Sequence, residues 1–413
     1  MKILYITYDG LLDPLGSSQI LPYIYGIKEF SDSIFIISFE KSEKYNIGYS
    51  ELNNFLLSKN IYWKPLLFSE RFGVLGKVWD LIKIYIKSAQ INFIENIDIA
   101  HARGHVAAAV ALFLKRFFKT KFLFDFRGLW VDERVDKGGW DLSKTIDLLQ
   151  FKYFKSTERK LLVHADHIVV LTNKVIGEIV KIASIQSSKI TVIPCCADFS
   201  HFTLQTQEQK NLIRRKLKIP SEALVLGYLG SVGSMYLIED YYRLVEIINL
   251  DPDYLKTSIY GLVITNNPKE ANAIKKKILS SKLQKNIIVM SAVRKDVPNL
   301  LCSFDVMVSF IANSYARQAA SPTKIAESFA SGIPVISNAG IGDVDEQVFL
   351  TNGGEIIHNT SISELQKVPS KLNRVLASDK VQIRQEAQSF LSLDIANSRY
   401  KDVYSNINMN KNA

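Results

Sequence analysis

The stretch Ser321–Asn338, SPTKIAESFASGIPVISN, decides how the chain is read. Ser321 is a good helix N-cap, Pro322 suits the first helical position, and Thr323 and Lys324 complete the opening turn. A helix predicted over Ser321–Ser331 therefore begins with open N–H groups and the positive end of its dipole. That is a ready site for phosphate, to which Lys324 adds a full charge. Glu327, three residues on and on the same face, can accept hydrogen bonds from both hydroxyls of a ribose. Gly332 then signals the helix end, and Ile333–Ser337 has the composition of a buried strand. A surface helix with an exposed Lys324–Glu327 pair fits the same residues, so the context has to decide.

That context is a regular alternation of short apolar strands and amphipathic helices. Strands are predicted at Lys2–Tyr8, Ser33–Phe39, Ile97–Ala102, Lys121–Phe126, His167–Leu171 and Lys189–Ile193. A second series is predicted at Ala223–Leu229, Ser258–Ile264, Asn286–Met290, Asp305–Phe310, Ile333–Ser337 and Glu355–Ile357. They lack strict alternation, as strands of a parallel sheet buried on both faces do. Intervening helices are predicted at Val74–Asn92, His105–Phe118, Thr145–His164, Tyr236–Ile248, Pro268–Ser281 and Ile362–Leu376. The expected fold class is α/β, with two Rossmann-like, doubly wound domains facing across a cleft. The expected domains are residues 1–196 and 197–385, with a helical tail at 386–413 returning to the first domain. A chain of 413 residues suits two such domains.

In open parallel sheets ligands bind beyond the carboxyl ends of the strands. Four further segments stand at such places. Gly230-Ser231-Val232-Gly233-Ser234 follows a strand, and its small residues let backbone approach a diphosphate. Its glycine spacing is not the dinucleotide fingerprint. Gly16 and Ser17, expected just before a helix, offer amides to the same group. Asp125–Arg134 (DFRGLWVDER) crowds charge behind a strand, where buried charge is costly unless it serves a site. Arg127 and Arg134 can hold phosphate there, while Asp125, Asp132 or Glu133 can accept a hydrogen bond from a hydroxyl. His101-Ala102-Arg103-Gly104-His105 clusters potential cations without a metal-ligand spacing. Each has a plainer alternative, a tight turn or a salt-bridged loop.

The net charge of +10, from 51 Lys and Arg against 41 Asp and Glu, suits phosphorylated ligands or an anionic surface. No nucleic-acid motif accompanies it. The runs Lys115–Lys121 and Lys152–Lys160 mix cations with aromatics, as membrane-surface contacts do and as solvated helix ends also do. Three cysteines, two of them adjacent, support no disulfide framework or zinc site. No apolar run is long enough to span a bilayer. The expected location is cytoplasmic, with peripheral contact at the inner face of a bacterial plasma membrane as an added expectation.

The Ser321–Asn338 stretch resembles the donor-binding P-x-K-x-x-E-x-x-A-x-G-x-P-V-I signature of the family-4 retaining glycosyltransferases with the GT-B fold. His101-Ala102-Arg103 and Asp125–Arg134, with Gly138, Gly139 and Trp140, look like the matching blocks of a bacterial branch that builds surface polysaccharides, O-antigens and capsules. The layout resembles that family over nearly the whole chain. Three departures stand out. The first glutamate of the family's Glu-x7-Glu pair falls at Ala319. No cation lies in Gly230–Tyr236. Arg127 precedes Gly128 where a histidine is common.

The resemblance implies sugar transfer from a nucleoside-diphosphate donor to a glycan or lipid-linked acceptor, without a metal or other cofactor. Donor contacts are then expected from Gly16, Ser17, Gly230, Ser231, Gly233, Arg317, Ser321, Pro322, Thr323, Lys324 and Glu327. Asp125, Arg127, His101 and Lys324 are the expected catalytic groups, and Arg103, Asp132, Glu133 and Arg134 are expected to meet the acceptor. The rival expectations are a sugar-nucleotide epimerase of the same fold and a non-catalytic subunit that binds nucleotide-sugar.

Overall fold

The computed structural model describes residues 1–69, 73–233, 235–279 and 285–409. The chain forms two compact units, Met1–Pro194 with Asp394–Ala413 and Cys195–Leu393.

The first unit is built on a seven-stranded parallel sheet. Its strands are β1 (Lys2–Thr7), β2 (Ser33–Glu40), β3 (Ile61–Leu67), β4 (Ile99–Arg103), β5 (Lys121–Asp125), β6 (His167–Val170) and β7 (Ile190–Val192), in the order β3-β2-β1-β4-β5-β6-β7. The second unit holds a six-stranded sheet of β8 (Leu224–Leu229), β9 (Ile259–Thr265), β10 (Ile287–Ser291), β11 (Val306–Ser309), β12 (Val335–Asn338) and β13 (Gly354–Ile357), ordered β10-β9-β8-β11-β12-β13. All of its recorded pairings are parallel. β1, β2, β5 and β8 are buried almost end to end, which is why their sequences run apolar without alternation.

The strand order reverses between β1 and β4 in one sheet and between β8 and β11 in the other. These are the places where carboxyl ends splay apart and leave a crevice. In the first crevice His101 and Arg103 leave β4 beside Asp125 of β5, since Arg103 is in register with Thr7 and with Asp125. In the second, Gly230 directly follows β8.

The sequence reading misses β3. Its Lys64 and Pro65 argue against a central strand, but β3 is a sheet edge, where a missing N–H is tolerated. Thr145–His164 forms with the predicted limits. The helix predicted from Tyr236 begins at Ile238, and the end predicted at Ser281 lies outside the described residues. The tail is not one helix: Lys380–Leu391 and Leu393–Met409 are separated at Ser392. There the Ala197 amide donates to the Leu391 carbonyl and the Leu393 amide to the Ala197 carbonyl. The chain passes between units at this break, at 393/394 where 385/386 was expected, and at 194/195 where 196/197 was expected.

Gly16 and Ser17 do not precede a helix; they lie inside a six-residue one, Pro14–Gln19. The Ser17 amide donates to the Asp13 carbonyl at 3.2 Å and its hydroxyl to the Pro14 carbonyl at 3.0 Å. Gly16 is required by close approach, because a Cβ there would sit 2.3 Å from the Leu11 carbonyl oxygen and 2.4 Å from that of Gly10. The turn beneath is anchored by the buried Glu40 carboxylate, which accepts the amides of Leu11 at 2.7 Å and Leu12 at 3.2 Å. Gly16→Ala is therefore expected to cost about 1–3 kcal/mol through overpacking against backbone that cannot yield. Denaturant unfolding of the variant checks this, and an unchanged midpoint contradicts it.

Candidate active site

The helix of the Ser321–Asn338 stretch spans Thr323–Ala330, and Pro322 occupies its N-cap position. Ser321 does not cap it. Its hydroxyl instead accepts the Cys195 amide at 3.0 Å, fastening the segment after β7 to the helix entrance. No side chain caps the helix and no acidic residue lies in its first turn, so its positive end is unopposed locally. Gly332 ends the helix with a φ of +68°, as its sequence position suggests.

Lys324 is buried, and so is Glu327. The exposed pair of the plainer reading does not exist. The Lys324 Nζ lies 4.3 Å from the centroid of the Tyr236 ring and 5.0 Å from that of Tyr228, held by two π-faces. No hydrogen bond or ion pair to it is found among the described residues. Burial lowers its pKa to about 8, and the Glu327 charge opposes that fall. Gly230 makes room for the ammonium: its φ is +125°, and a Cβ would stand 3.1 Å from Nζ.

Glu327 has a partner that the sequence reading missed. Arg294, in the turn after β10, donates from Nη1 to Glu327 Oε1 at 2.9 Å. Burial pushes the Glu327 carboxyl up, with Arg294 and then Lys324 offsetting part of the rise. Thirty-three residues separate the pair, so no local spacing could reveal it.

The glycine turn is anchored on both sides. The Gly230 amide is not open to a ligand, since it donates to the Ile264 carbonyl at 2.9 Å. The Val232 amide donates to Glu270 Oε2 at 3.2 Å, while Ser231 and Gly233 are exposed. Ser234 lies outside the described residues. Further on, Leu237 and Ala312 donate their amides to Phe310 and Met235, and Asn338 at the end of β12 brackets the Ile311 peptide with two 2.9 Å bonds. Arg317 is buried beside this seam, with Nη2 2.7 Å from the Met235 sulfur.

In the first unit His101, Arg103, Asp125 and Arg127 come together. Arg127 donates to Asp125 Oδ1 at 3.3 Å, and Arg103 lies 3.5 Å from Oδ2 and 3.5 Å from Asp9. Burial alone would raise the Asp125 pKa; Arg127, the His101 contact and Arg103 outweigh it and hold the carboxyl well below its usual range. His101 Nε2 is 3.7 Å from Asp125 Oδ2, too far for a direct hydrogen bond, whereas Nδ1 meets the Tyr404 hydroxyl at 2.7 Å. Burial lowers the His101 pKa, so the ring is neutral at pH 7. Three buried polar atoms in this cluster have no hydrogen-bond partner: His101 Nε2, Arg103 Nε and Asp125 Oδ2. Buried polar atoms without hydrogen bonds are uncommon, and here three lie in one cluster.

Asp132, Glu133 and Arg134 share the helix Trp130–Asp136, but each is engaged elsewhere. Asp132 pairs with Lys155 at 2.9 Å, which continues to the buried Glu158 and from there to His105. Glu133 pairs with Lys137, and Arg134 stacks on Trp130 and Trp140. Cations of the two basic runs are likewise used structurally: Lys115 binds Asp166 and the His164 carbonyl, and Lys155 belongs to the Glu158 network. Among the described residues no group of His, Cys, Asp and Glu could hold a metal ion, and no helix is long and apolar enough to cross a membrane. All three cysteines are free and buried.

The sequence model described as Glycosyl transferases group 1 matches residues 209–388, and that described as Glycosyltransferase Family 4 matches residues 53–201. The chain is a family-4-like glycosyltransferase with the GT-B fold, an enzyme of glycosyl transfer. Among solved structures, a glycosyltransferase from Rickettsia africae superposes with a TM-score of 0.71 at 18% identity, over 98% of both chains. HepE of Anabaena in complex with UDP gives 0.70 at 13% identity, covering 98% of this chain and 100% of that one. WaaG, a glycosyltransferase involved in lipopolysaccharide biosynthesis, gives 0.63 at 12% identity over 96% and 98%. No curated protein matches the sequence at a significant level.

Two stability predictions follow from these environments. The unfolded Lys324 titrates near 10.5 and the folded one near 8. Below pH 8 both states carry the proton, and the cost of burying it is present in full. Between pH 8 and 10.5 the unfolded state binds more protons, so stability rises with pH. Lys324→Met is expected to be more stable than the native protein by about 1–3 kcal/mol at pH 7, a gain that shrinks towards pH 10. Denaturant titrations at the two pH values measure it, and equal stability at pH 7 contradicts it. Tyr404→Phe, which strips His101 of its Nδ1 partner, is expected to cost about 1–3 kcal/mol. A variant with native stability would show that this bond contributes nothing net.

Proposed function

We propose that this enzyme transfers a sugar from a nucleoside-diphosphate donor, with retention of anomeric configuration, to a glycan or lipid-linked acceptor in the assembly of a surface polysaccharide. The observation that carries the donor assignment is Lys324: a buried ammonium with two aromatic faces, no anion of its own, and a helix N-terminus beside it. An unpaired buried cation is costly, and a diphosphate would relieve that cost. HepE of Anabaena, similar in fold, is described in complex with UDP and glucose, and WaaB is described as a lipopolysaccharide outer core galactosyltransferase. These descriptions support the nucleotide-sugar and polysaccharide parts of the reading.

In the proposed reaction the bond from the anomeric carbon to the diphosphate breaks, and the acceptor oxygen bonds to that carbon on the same face. The departing phosphate oxygen takes the acceptor's proton. Negative charge grows on the diphosphate as it leaves, so Lys324, Arg317 and the Ser231 and Gly233 amides act where charge develops, with no metal ion required. Glu327, set by Arg294, would accept the ribose hydroxyls. His101, Arg103, Asp125 and Arg127 would orient the acceptor hydroxyl through the three polar atoms that lack partners.

Glu327→Ala is expected to weaken donor binding and to lower kcat/KM at least about a hundredfold while the protein stays folded. A screen of UDP-, GDP- and dTDP-sugars supplies the donor for that measurement, and unchanged turnover would sink the assignment. Lys324→Ala is expected to lower kcat by a similar factor. It should also abolish a fall in kcat/KM that the native enzyme shows as pH rises through about 8, where the free enzyme loses the Lys324 charge. An identical pH profile in both would return Lys324 to a structural role.

A further inference from the structure

Ala396, Tyr400, Val403, Tyr404 and Ile407 recur at helical spacing in Leu393–Met409 and form its buried face. Two contacts within the first unit fix that face in place. Arg399 donates from Nη1 to the Val192 carbonyl at 2.8 Å. The helix Leu21–Lys28 approaches so closely that a Cβ on Gly26 would lie 2.0 Å from Asn397 Cγ. Tyr400 and Tyr404, one turn apart, are thereby brought against His101 of β4, with ring centroids at 5.5 Å and 5.9 Å. Tyr5, in register with His101 on β1, adds a third ring at 4.5 Å. Packing alone would be served by phenylalanine at position 404. The Tyr404 hydroxyl is buried, so it needs a partner, and that partner is His101 Nδ1 at 2.7 Å.

The two ring nitrogens have different surroundings. Nδ1 faces the Tyr404 hydroxyl, whereas Nε2 faces Asp125 Oδ2 at 3.7 Å. Arg103 and Arg127 are the other charged groups around that carboxylate. The ring is neutral at pH 7, so one nitrogen carries the hydrogen and the other a lone pair. With the hydrogen on Nδ1, the Tyr404 oxygen would accept and its own O–H would have no acceptor among the described residues. The Nε2 lone pair would also face a carboxylate. With the hydrogen on Nε2 both faults vanish: Tyr404 donates to Nδ1, and an N–H faces Asp125. We infer that Tyr404 is a positioning residue, which fixes His101 as the Nε2–H tautomer and so sets a hydrogen-bond donor beside the Asp125 acceptor. A hydroxyl donates and accepts at once, and matches a donor placed next to an acceptor. The opposite tautomer would place two acceptors together, an arrangement suited to an ammonium. The link from tautomer to sugar transfer rests on the proposed role of this cluster in orienting the acceptor hydroxyl; the tautomer itself does not.

Nitrogen NMR of the full chain carrying isotope-labelled histidine tests it, with the His101 signals identified by their loss in His101→Gln. The native ring is expected to show an unprotonated Nδ1 and a protonated Nε2, unchanged between about pH 6 and pH 8. Tyr404→Phe keeps the ring and removes the hydroxyl. It is expected to raise the share of the Nδ1–H form at least about tenfold. With a donor found by the sugar-nucleotide screen, the same variant is expected to lower kcat for transfer at least about tenfold with the donor KM unchanged. Tyr400→Phe, altered beside the same ring but with no bond to its nitrogens, should keep the native tautomer. A native ring protonated on Nδ1 overturns the inference, as does a native tautomer retained in Tyr404→Phe. Native kcat in a variant whose tautomer has changed overturns the positioning role. Should Tyr404→Phe fail to fold, the native spectrum still decides the tautomer. That spectrum is read without substrate, so absence of transfer from every donor would count against the proposed function alone.

Discussion

The arrangement of the second unit depends on where the Lys324 ammonium is placed. A buried cation without a carboxylate partner is tolerated only where something else compensates, and here two tyrosine faces do part of that work. That placement dictates its neighbours. Residue 230 must lack a Cβ, both for its backbone conformation and for the space the ammonium takes. The turn that follows must reach far enough to bring Tyr236 over the charge, which its bonding to Phe310, Ile311 and Ala312 ensures. Glu327 is close enough to be felt by Lys324, yet its hydrogen bond goes to Arg294.

The two strand-end sites solve opposite problems. In the first unit the buried group at the centre is an anion, Asp125, and two arginines neutralise it within the fold. Its unfilled capacity is in hydrogen bonding rather than charge: His101 is neutral, held from behind by Tyr404, and its other nitrogen faces inward without a partner. Such a site suits a hydroxyl, which can donate and accept at once. In the second unit the central group is a cation and the unfilled capacity is charge itself, which suits a phosphate. The proposed division of labour between acceptor and donor would thus have a physical basis in each unit taken separately.

What could be read in the sequence was local, and what could not was the product of distance. The helix after Ser321, its end at Gly332 and the glycine turn after β8 are coded by neighbouring residues, though the helix starts at Thr323, one residue later than expected, and Thr145–His164 is coded by its own periodicity. Arg294 and Tyr404 reach their partners only through tertiary packing, Tyr404 from the helix Leu393–Met409, which no spacing contains; 303 residues separate Tyr404 from His101. The amides misjudged at Gly230 and Ser17 show a related limit. A turn's composition says that backbone can approach a ligand, but whether an N–H is already taken depends on the neighbouring strand or the turn before it. β3 was hidden for a different reason, since its Pro65 is forbidden in a central strand and harmless at an edge.

The missing first glutamate takes on a different meaning in this setting. Ala319, where it would fall, is buried in the short turn Tyr315–Ala319 that also carries Arg317. Without that carboxylate, Glu327 at the helix start hydrogen-bonds to Arg294 and not to Lys324. Arg294 already pairs with Glu327, so Lys324 lacks a carboxylate hydrogen-bond partner among the described residues. A group that stabilises a leaving diphosphate acts through charge, not through proton transfer, and an added carboxylate would weaken that field. Under the proposed reaction, loss of the glutamate therefore leaves Lys324 free to act on the departing group. Under the proposed reaction, the residue absent at Ala319 is a hydrogen-bond acceptor rather than a source of positive charge, so its consequence should be sought in which sugar is accepted rather than in whether transfer occurs.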